Sequence, residues 1–242
     1  MKYLLRKLKF THFLYCHLLM ALGLLAYGLE IELLWSFILT ALVLFPLGSL
    51  VVHQHFNHNY SQFKNSAAEW FSLLLLIAYS YWPLREMKSY HISHHQRWLQ
   101  PTDPTASEIA QGKWLYYLGL TVPQQFDKFE AEITASFALA ARYFFRIKLA
   151  IYFVLAMLIG VKGLFYVIVV PQFFMYILAK VHDMIFHSNP AAKDAPWLFP
   201  LYFNDCWHIQ HHQDYSESQQ WHWPWVNLHF WYHKLLFVDS KS

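Results

Sequence analysis

The chain begins with an apolar run that is too long to form one buried helix. Between Phe10 and Val52 the sequence is almost continuously apolar, and Glu30 and Glu32 are its chief interruptions. A helix crosses a bilayer with about 20 apolar residues, so the run predicts two crossings joined at "LEIEL". Basic residues favour the cytoplasmic side, and four of them precede the run: Lys2, Arg6, Lys7 and Lys9. We therefore expect both the N-terminus and Val52 to lie on that side.

A second apolar run, from Ile147 to Val181, contains a break at Gly160–Gly163 and predicts another hairpin with cytoplasmic ends. Of all residues, 57% are hydrophobic and 14% are charged, whereas soluble domains carry about 25% charged residues. The net charge of +3 is too small to indicate a nucleic-acid partner. We therefore expect an all-α, integral, multi-pass membrane protein. It would have about four transmembrane helices in two hairpins, a cytoplasmic helical cap, both termini on the cytoplasmic side, and one domain over residues 1–242.

The segment Ser66–Trp82 decides whether this topology is consistent. It opens with the capping-box pattern Ser-x-x-Glu and is ended by Pro83. Its length is marginal for a crossing, so a helix that is partly buried in the membrane, or that lies under the cap, is the favoured interpretation. If the segment did cross, the histidines before and after it would lie on opposite faces.

The 16 histidines gather mostly in four clusters. The clusters are "HQHFNH" (His53–His58), "HISHH" (His91–His95), "HDMIFH" (His182–His187) and "HIQHH" (His208–His212). The predicted topology places all four clusters on the cytoplasmic face, where we expect the active site.

The H-x-x-H-H spacing indicates metal binding. Residues three and four apart share a helix face, so His91 can pair with His94 or with His95. The two adjacent histidines diverge by about 100° and can serve two different ions. The same holds for His208, His211 and His212. Imidazole suits zinc, copper, iron and nickel, and the number of histidines implies two ions. Carboxylates close to the clusters are sparse, which favours oxidation by iron over hydrolysis by zinc.

The clusters and their flanking residues resemble the membrane fatty acid desaturase superfamily. Three boxes occur in that family's order: H-x-x-x-x-H, H-x-x-H-H and H-x-x-H-H. The segments "WPLREMKSYHISHHQRWLQPTDPT" and "NDCWHIQHHQDYSESQQWHWPWVNLHFW" are similar to its second and third boxes, the latter to those of stearoyl-CoA-type desaturases. The boxes supply the candidate ligands His53, His58, His91, His94, His95, His208, His211 and His212.

The resemblance implies an oxygen-dependent fatty-acyl desaturase. Such an enzyme holds two Fe ions with histidine alone, uses O2 as co-substrate, and takes electrons from a ferredoxin- or cytochrome b5-type donor. Its substrate is the acyl chain of an acyl-lipid, an acyl-CoA or an acyl-carrier protein at the lipid bilayer. The first box here lacks the arginine that usually follows its first histidine in acyl-CoA desaturases, so the carrier stays open.

Stearoyl-CoA-type desaturases also carry an Asn-x-x-x-His element before the third box. Here Asp183-x-x-x-His187 has that spacing, with Asp in place of Asn, whereas His182 lies nearer to the family's distance from the third box. His182 and His187 are therefore both candidate ligands. Asp183 is the candidate catalytic residue, which would orient a ligand or hold water.

Two alternative functions remain from the sequence. A hydroxylase, ketolase or acetylenase of a lipid or carotenoid would use the same scaffold. A membrane metal transporter would need ionisable residues inside its crossings, and the two apolar runs offer few of them.

Overall fold

The structure is a computed structural model that describes most of the chain as helix. It describes residues 31–51, 62–80, 82–98, 100–121, 134–187, 194–198, 202, 206–213 and 223–238. Of the residues described, 82% are helical and none belongs to a β-strand. One isolated antiparallel bridge joins Phe63 to Phe237. The expected all-α class is confirmed.

Eleven α-helices and four short 3-10 or π segments are described within these ranges. The α-helices are α1 Ile31–Leu39, α2 Phe45–Val51, α3 Ser66–Tyr79, α4 Leu84–Gln96, α5 Pro104–Ala110, α6 Lys113–Tyr117, α7 Ala135–Arg142, α8 Phe144–Leu164, α9 Val170–His187, α10 His208–Gln213 and α11 Leu228–Leu236. The π-helical turns Thr40–Leu44 and Phe165–Val169 join α1 to α2 and α8 to α9 without a break.

The chain reverses direction inside α8, at the break that the sequence predicts. Gly160 has φ of 72° and ψ of 173°, a conformation open almost only to glycine. Beyond Gly160 the chain folds back on itself. A hydrogen bond between the two arms shows this, since the Gln172 side chain donates to the Tyr152 hydroxyl at 2.7 Å. Two residues that are 20 apart would lie about 30 Å apart in one straight helix. Helix α8 and helix α9 therefore form a hairpin.

Helix α3 packs against this hairpin and ends on it. The α3 residues Leu73, Leu76 and Ile77 share a core cluster with Phe137 and Phe144 of α7 and α8. The last carbonyl groups of a helix have no partner inside the helix. The carbonyl of Ala78 accepts from Tyr152 and Gln172, each at 2.8 Å, and that of Ser80 accepts from Lys148 at 2.6 Å.

A large apolar surface remains exposed on the hairpin. In α8, Leu149, Met157 and Leu158 are each more than 70% exposed. Exposed apolar area on this scale marks a surface for contact with a membrane or with another protein. Among the residues described, the segment Phe144–His187 is long and apolar enough to cross a membrane. The four predicted crossings and the cytoplasmic sidedness stay predictions, since residues 10–30 lie outside the described ranges.

Candidate metal centre

Three helices bring the histidine clusters together. Helix α4 starts after Pro83, where a proline is well tolerated, and carries His91, His94 and His95 in its last two turns. Helix α9 ends at His187. Helix α10 is held at its start by Asp194, whose carboxylate accepts from the backbone N–H of Ile209 at 2.9 Å.

An apolar cluster sets α10 against the end of α9. Phe186 of α9 is buried with Tyr202 and Cys206, which precede α10, and with Phe45 of α2. The Tyr202 hydroxyl donates to the Leu178 carbonyl at 2.9 Å. This packing places the α10 histidines beside His187.

One set of four histidines converges between these helices. We call it the four-histidine set; its members are His94, His187, His208 and His212. One ligand nitrogen from each lies within 4.8 Å of all the others. The Nε2 atom of His208 lies 2.9 Å from that of His187 and 2.9 Å from that of His212, which is 3.2 Å from that of His94.

A second set lies beside the first. We call it the three-histidine set; its members are His91, His95 and His211, and their ligand nitrogens also lie within 4.8 Å of one another. The Nε2 atoms of His95 and His211 are 3.1 Å apart. The two sets touch, since the His95 and His212 rings stack with centroids 4.2 Å apart. Trp98 covers the other face of the His212 ring with its centroid at 4.6 Å.

Adjacent histidines serve different sets, as helical geometry predicts. His94 belongs to the four-histidine set and His95 to the three-histidine set. On α10, His212 and His211 divide in the same way. Helices α4 and α10 therefore each present ligands to both sets, whereas α9 presents His187 to the four-histidine set only.

A carboxylate orients His94, and the sequence alone did not single it out as a site residue. The Nδ1 atom of His94 lies 2.8 and 2.9 Å from the two carboxylate oxygens of Asp103, which is 2% exposed. With its hydrogen on Nδ1, the ring donates to Asp103 and turns its Nε2 lone pair toward the set. Asp103 also caps α5 by accepting from the Thr105 N–H at 2.8 Å. The only signal in the sequence was the Asp-Pro pair after the second box.

Asp183 has a similar relation to His182. Its Oδ1 lies 3.5 Å from His182 Nδ1, and its Oδ2 accepts a hydrogen bond from the Tyr116 hydroxyl. Burial, followed by the charge of Asp183, raises the pKa of Tyr116 well above its usual value, so Tyr116 stays a donor. The Nε2 atom of His182 is buried and has no hydrogen-bond partner among the described residues.

His182 and His187 have different places in the centre. His187 is a member of the four-histidine set, whereas His182 forms a separate group with Asp183 and His187. The His182 ring lies 5.0 Å from that of His208, centroid to centroid. His187 therefore has the geometry of a ligand to a metal ion held by the four-histidine set, and His182 lies next to that set.

The electrostatics of the centre suit neutral ligands. Burial, and then the neighbouring histidines from His187 onward, hold the pKa of His208 well below its usual value. The ring is therefore neutral near pH 7 and keeps a lone pair for a metal. A cation placed among the converging nitrogens would satisfy several of these lone pairs at once. The donor set thus fits a metal that imidazole prefers.

Other histidines lie outside the two sets. His53 and His58, predicted as ligands, are outside the residues that the structure describes. His229 and His233 are buried on α11 and join neither set.

The buried histidine groups have the geometry to hold a metal ion, and their composition leaves open which one. No protein-family model and no curated protein sequence matches this chain. The assignment of this centre therefore rests on its own geometry.

Proposed function

We propose that this chain is an oxygen-dependent fatty-acyl desaturase that holds two iron ions between helices α4, α9 and α10. The observation that carries the proposal is the division of adjacent histidines between two touching sets. That arrangement provides for two ions with histidine ligands in one buried centre. It supports a pair of metals acting together rather than a single structural ion.

The ligand chemistry favours oxidation over hydrolysis. Neither set contains a carboxylate, although two-metal hydrolases commonly use carboxylates to bridge their ions. The nearby acids Asp103 and Asp183 contact histidine Nδ1 atoms instead. Bound iron would supply the one-electron and dioxygen chemistry that removal of hydrogen from an unactivated methylene requires.

The protein's own residues have three tasks in this proposal. The seven histidines of the two sets hold the ions, and His53 and His58 stay predicted ligands. Asp103 fixes the ring of His94, and Asp183 fixes that of His182. Aromatic side chains around the centre, the half-buried Trp98 and the buried Phe186 among them, would limit the access of water.

The remaining parts of the proposal concern the surroundings of the enzyme. We infer a multi-pass membrane protein with its termini and its centre on the cytoplasmic side. The electron donor would be a ferredoxin- or cytochrome b5-type protein, and the substrate an acyl-lipid, acyl-CoA or acyl-carrier-protein chain. The exposed apolar hairpin supports the location at a bilayer.

The test is expression in a host whose membrane lipids are defined, followed by mass spectrometry of the fatty acids. We expect products that are lighter by two hydrogens, about two irons per chain, and no activity in His211→Ala although the variant still inserts into membranes. Products that gain one oxygen would replace desaturation by hydroxylation. Active enzyme that contains no iron would refute the proposal.

A further inference from the structure

An open cleft of about 850 Å³ lies between the start of α4 and the α7–α8 junction. Its walls combine two arginines with apolar side chains: Arg85 on α4, Arg142 at the end of α7, and Leu139, Phe144 and Phe145. No member of the two histidine sets lines it. The cleft is therefore a separate feature of the fold.

The cleft offers unpaired positive charge. Arg85 and Arg142 are both exposed, and neither has a carboxylate partner among the described residues. The guanidinium of Arg142 lies 5.5 Å from the Tyr143 ring centroid. Glu86 also lines the cleft, so its walls carry two positive side chains and one negative side chain.

The start of α4 adds to this potential. Its N-cap residue Pro83 provides no side-chain hydrogen bond to the first turn, in which Glu86 is the one acidic residue. The first-turn N–H groups of a helix carry partial positive charge and attract anions, phosphate in particular. This end of a 13-residue helix lines the same cleft as the two arginines.

An apolar stripe leads away from the cleft along α8. Phe145, which lines the cleft, is followed at intervals of four residues by Leu149, Phe153 and Met157. These side chains share one helix face and are 61%, 71%, 67% and 74% exposed. Exposure of such a stripe to water is unfavourable, and contact with an acyl chain would remove its apolar surface from water.

We propose that the cleft binds the phosphate head group of an anionic bilayer phospholipid, whose acyl chain lies along the α8 stripe. Arginine holds phosphate with paired hydrogen bonds, and the stripe supplies the apolar partner that a free phosphate ion would not need. The lipid belongs to the bilayer around the protein. This proposal does not depend on metal binding or on the reaction.

The test measures lipid retention by native mass spectrometry on purified, delipidated protein. We expect phosphatidylglycerol to bind at least about tenfold more tightly than phosphatidylcholine. The double variant Arg85→Gln/Arg142→Gln is expected to lose that preference. Arg146→Gln is the matched control, since Arg146 is also exposed, lies one turn further along the chain, and does not line the cleft. It is expected to bind as the unaltered protein does.

A second variant distinguishes the binding of a whole lipid from the binding of its phosphate group alone. Leu149→Ser/Phe153→Ser alters only exposed positions of the stripe and is expected to weaken phosphatidylglycerol binding about tenfold. Unchanged binding by either double variant would overturn the proposal. Equal binding of the two lipids, or displacement of phosphatidylglycerol by an equal concentration of inorganic phosphate, would overturn it as well.

Discussion

Two carboxylates among the described residues, the buried Asp103 and the half-buried Asp183, have a neighbouring histidine ring as their partner. Asp103 and Asp183 each face an Nδ1 atom, of His94 and His182 respectively. Such contacts select the tautomer whose Nε2 lone pair is available to a metal. The H-x-x-H-H spacing identifies the rings but not their partners, because Asp103 reaches His94 only through the turn that follows α4.

We predict that Asp103→Asn weakens metal binding by about tenfold or more, since the carboxylate charge that supports His94 is lost. Asparagine is also a good helix cap, so the start of α5 should persist. Affinity is measured by competition with a chelator. Glu69→Gln on α3 removes the same charge away from the centre and serves as the control. Equal affinity in Asp103→Asn and the control would contradict the role of Asp103.

Glu108 makes the free energy of unfolding depend on pH. Burial raises its pKa to about 7, although Lys180, 3.7 Å away, opposes this shift. The folded state therefore holds this proton more tightly than the unfolded state, in which the pKa is near its model-peptide value of about 4.3. The resulting stabilisation is complete below that value and is lost as the pH rises through about 7.

We predict that Glu108→Gln removes this decline, because glutamine does not titrate. The measurement is the free energy of unfolding in detergent, for both proteins, between pH 4.5 and pH 8. The difference between them should change with pH by on the order of 1–3 kcal/mol. Parallel curves for the two proteins would show that Glu108 does not contribute.

At the level of elements, helix periodicity accounts for much of the centre. Spacing within α4 and α10 predicted that adjacent histidines would separate, and the pair Gly160–Gly163 predicted the turn of the α8–α9 hairpin. Spacing did not decide between His182 and His187. That choice depends on how the end of α9 packs against α10 through Phe186 and Tyr202, which no local pattern records.

The separation of adjacent histidines leads to a stoichiometric prediction. His94→Ala removes a ligand from the four-histidine set only, and His95→Ala from the three-histidine set only. At a chelator concentration at which the unaltered protein keeps both ions, each variant should therefore retain about one, because the loss of one ligand weakens one site only. Elemental analysis of purified protein gives the count, and His229→Ala on α11 is the histidine control, expected to keep both ions. Retention of two ions by His94→Ala or His95→Ala would contradict the assignment.

At the scale of the whole molecule, composition predicted the helical class and the exposed apolar surface. The number of crossings is harder to predict, because a short apolar helix such as α3 can cross the bilayer or end within it. In the structure α3 ends against the hairpin, with its last carbonyls bonded to Tyr152, Gln172 and Lys148. These contacts fix where α3 ends, and its place, partly buried in the membrane or lying under the cap, stays a prediction.

A common side for the histidine clusters is testable by labelling. Gln96 and Gln213 are exposed at the ends of α4 and α10. With Cys16 and Cys206 replaced, we predict that Gln96→Cys and Gln213→Cys react with a membrane-impermeant maleimide in vesicles of the same orientation. The variant Lys2→Cys should react with the same reagent in vesicles of that orientation too. Reaction of the two glutamine positions from opposite sides would refute the predicted topology.

The four-histidine set also has a consequence for the folding of the chain. Its members come from positions 94, 187, 208 and 212, so one bound ion would tie distant parts of the chain together as a covalent bridge does. Because the unfolded chain holds no such preformed site, binding would favour the folded state by mass action. A cell short of the metal would lose the protein itself to degradation, and with it more than the catalytic step.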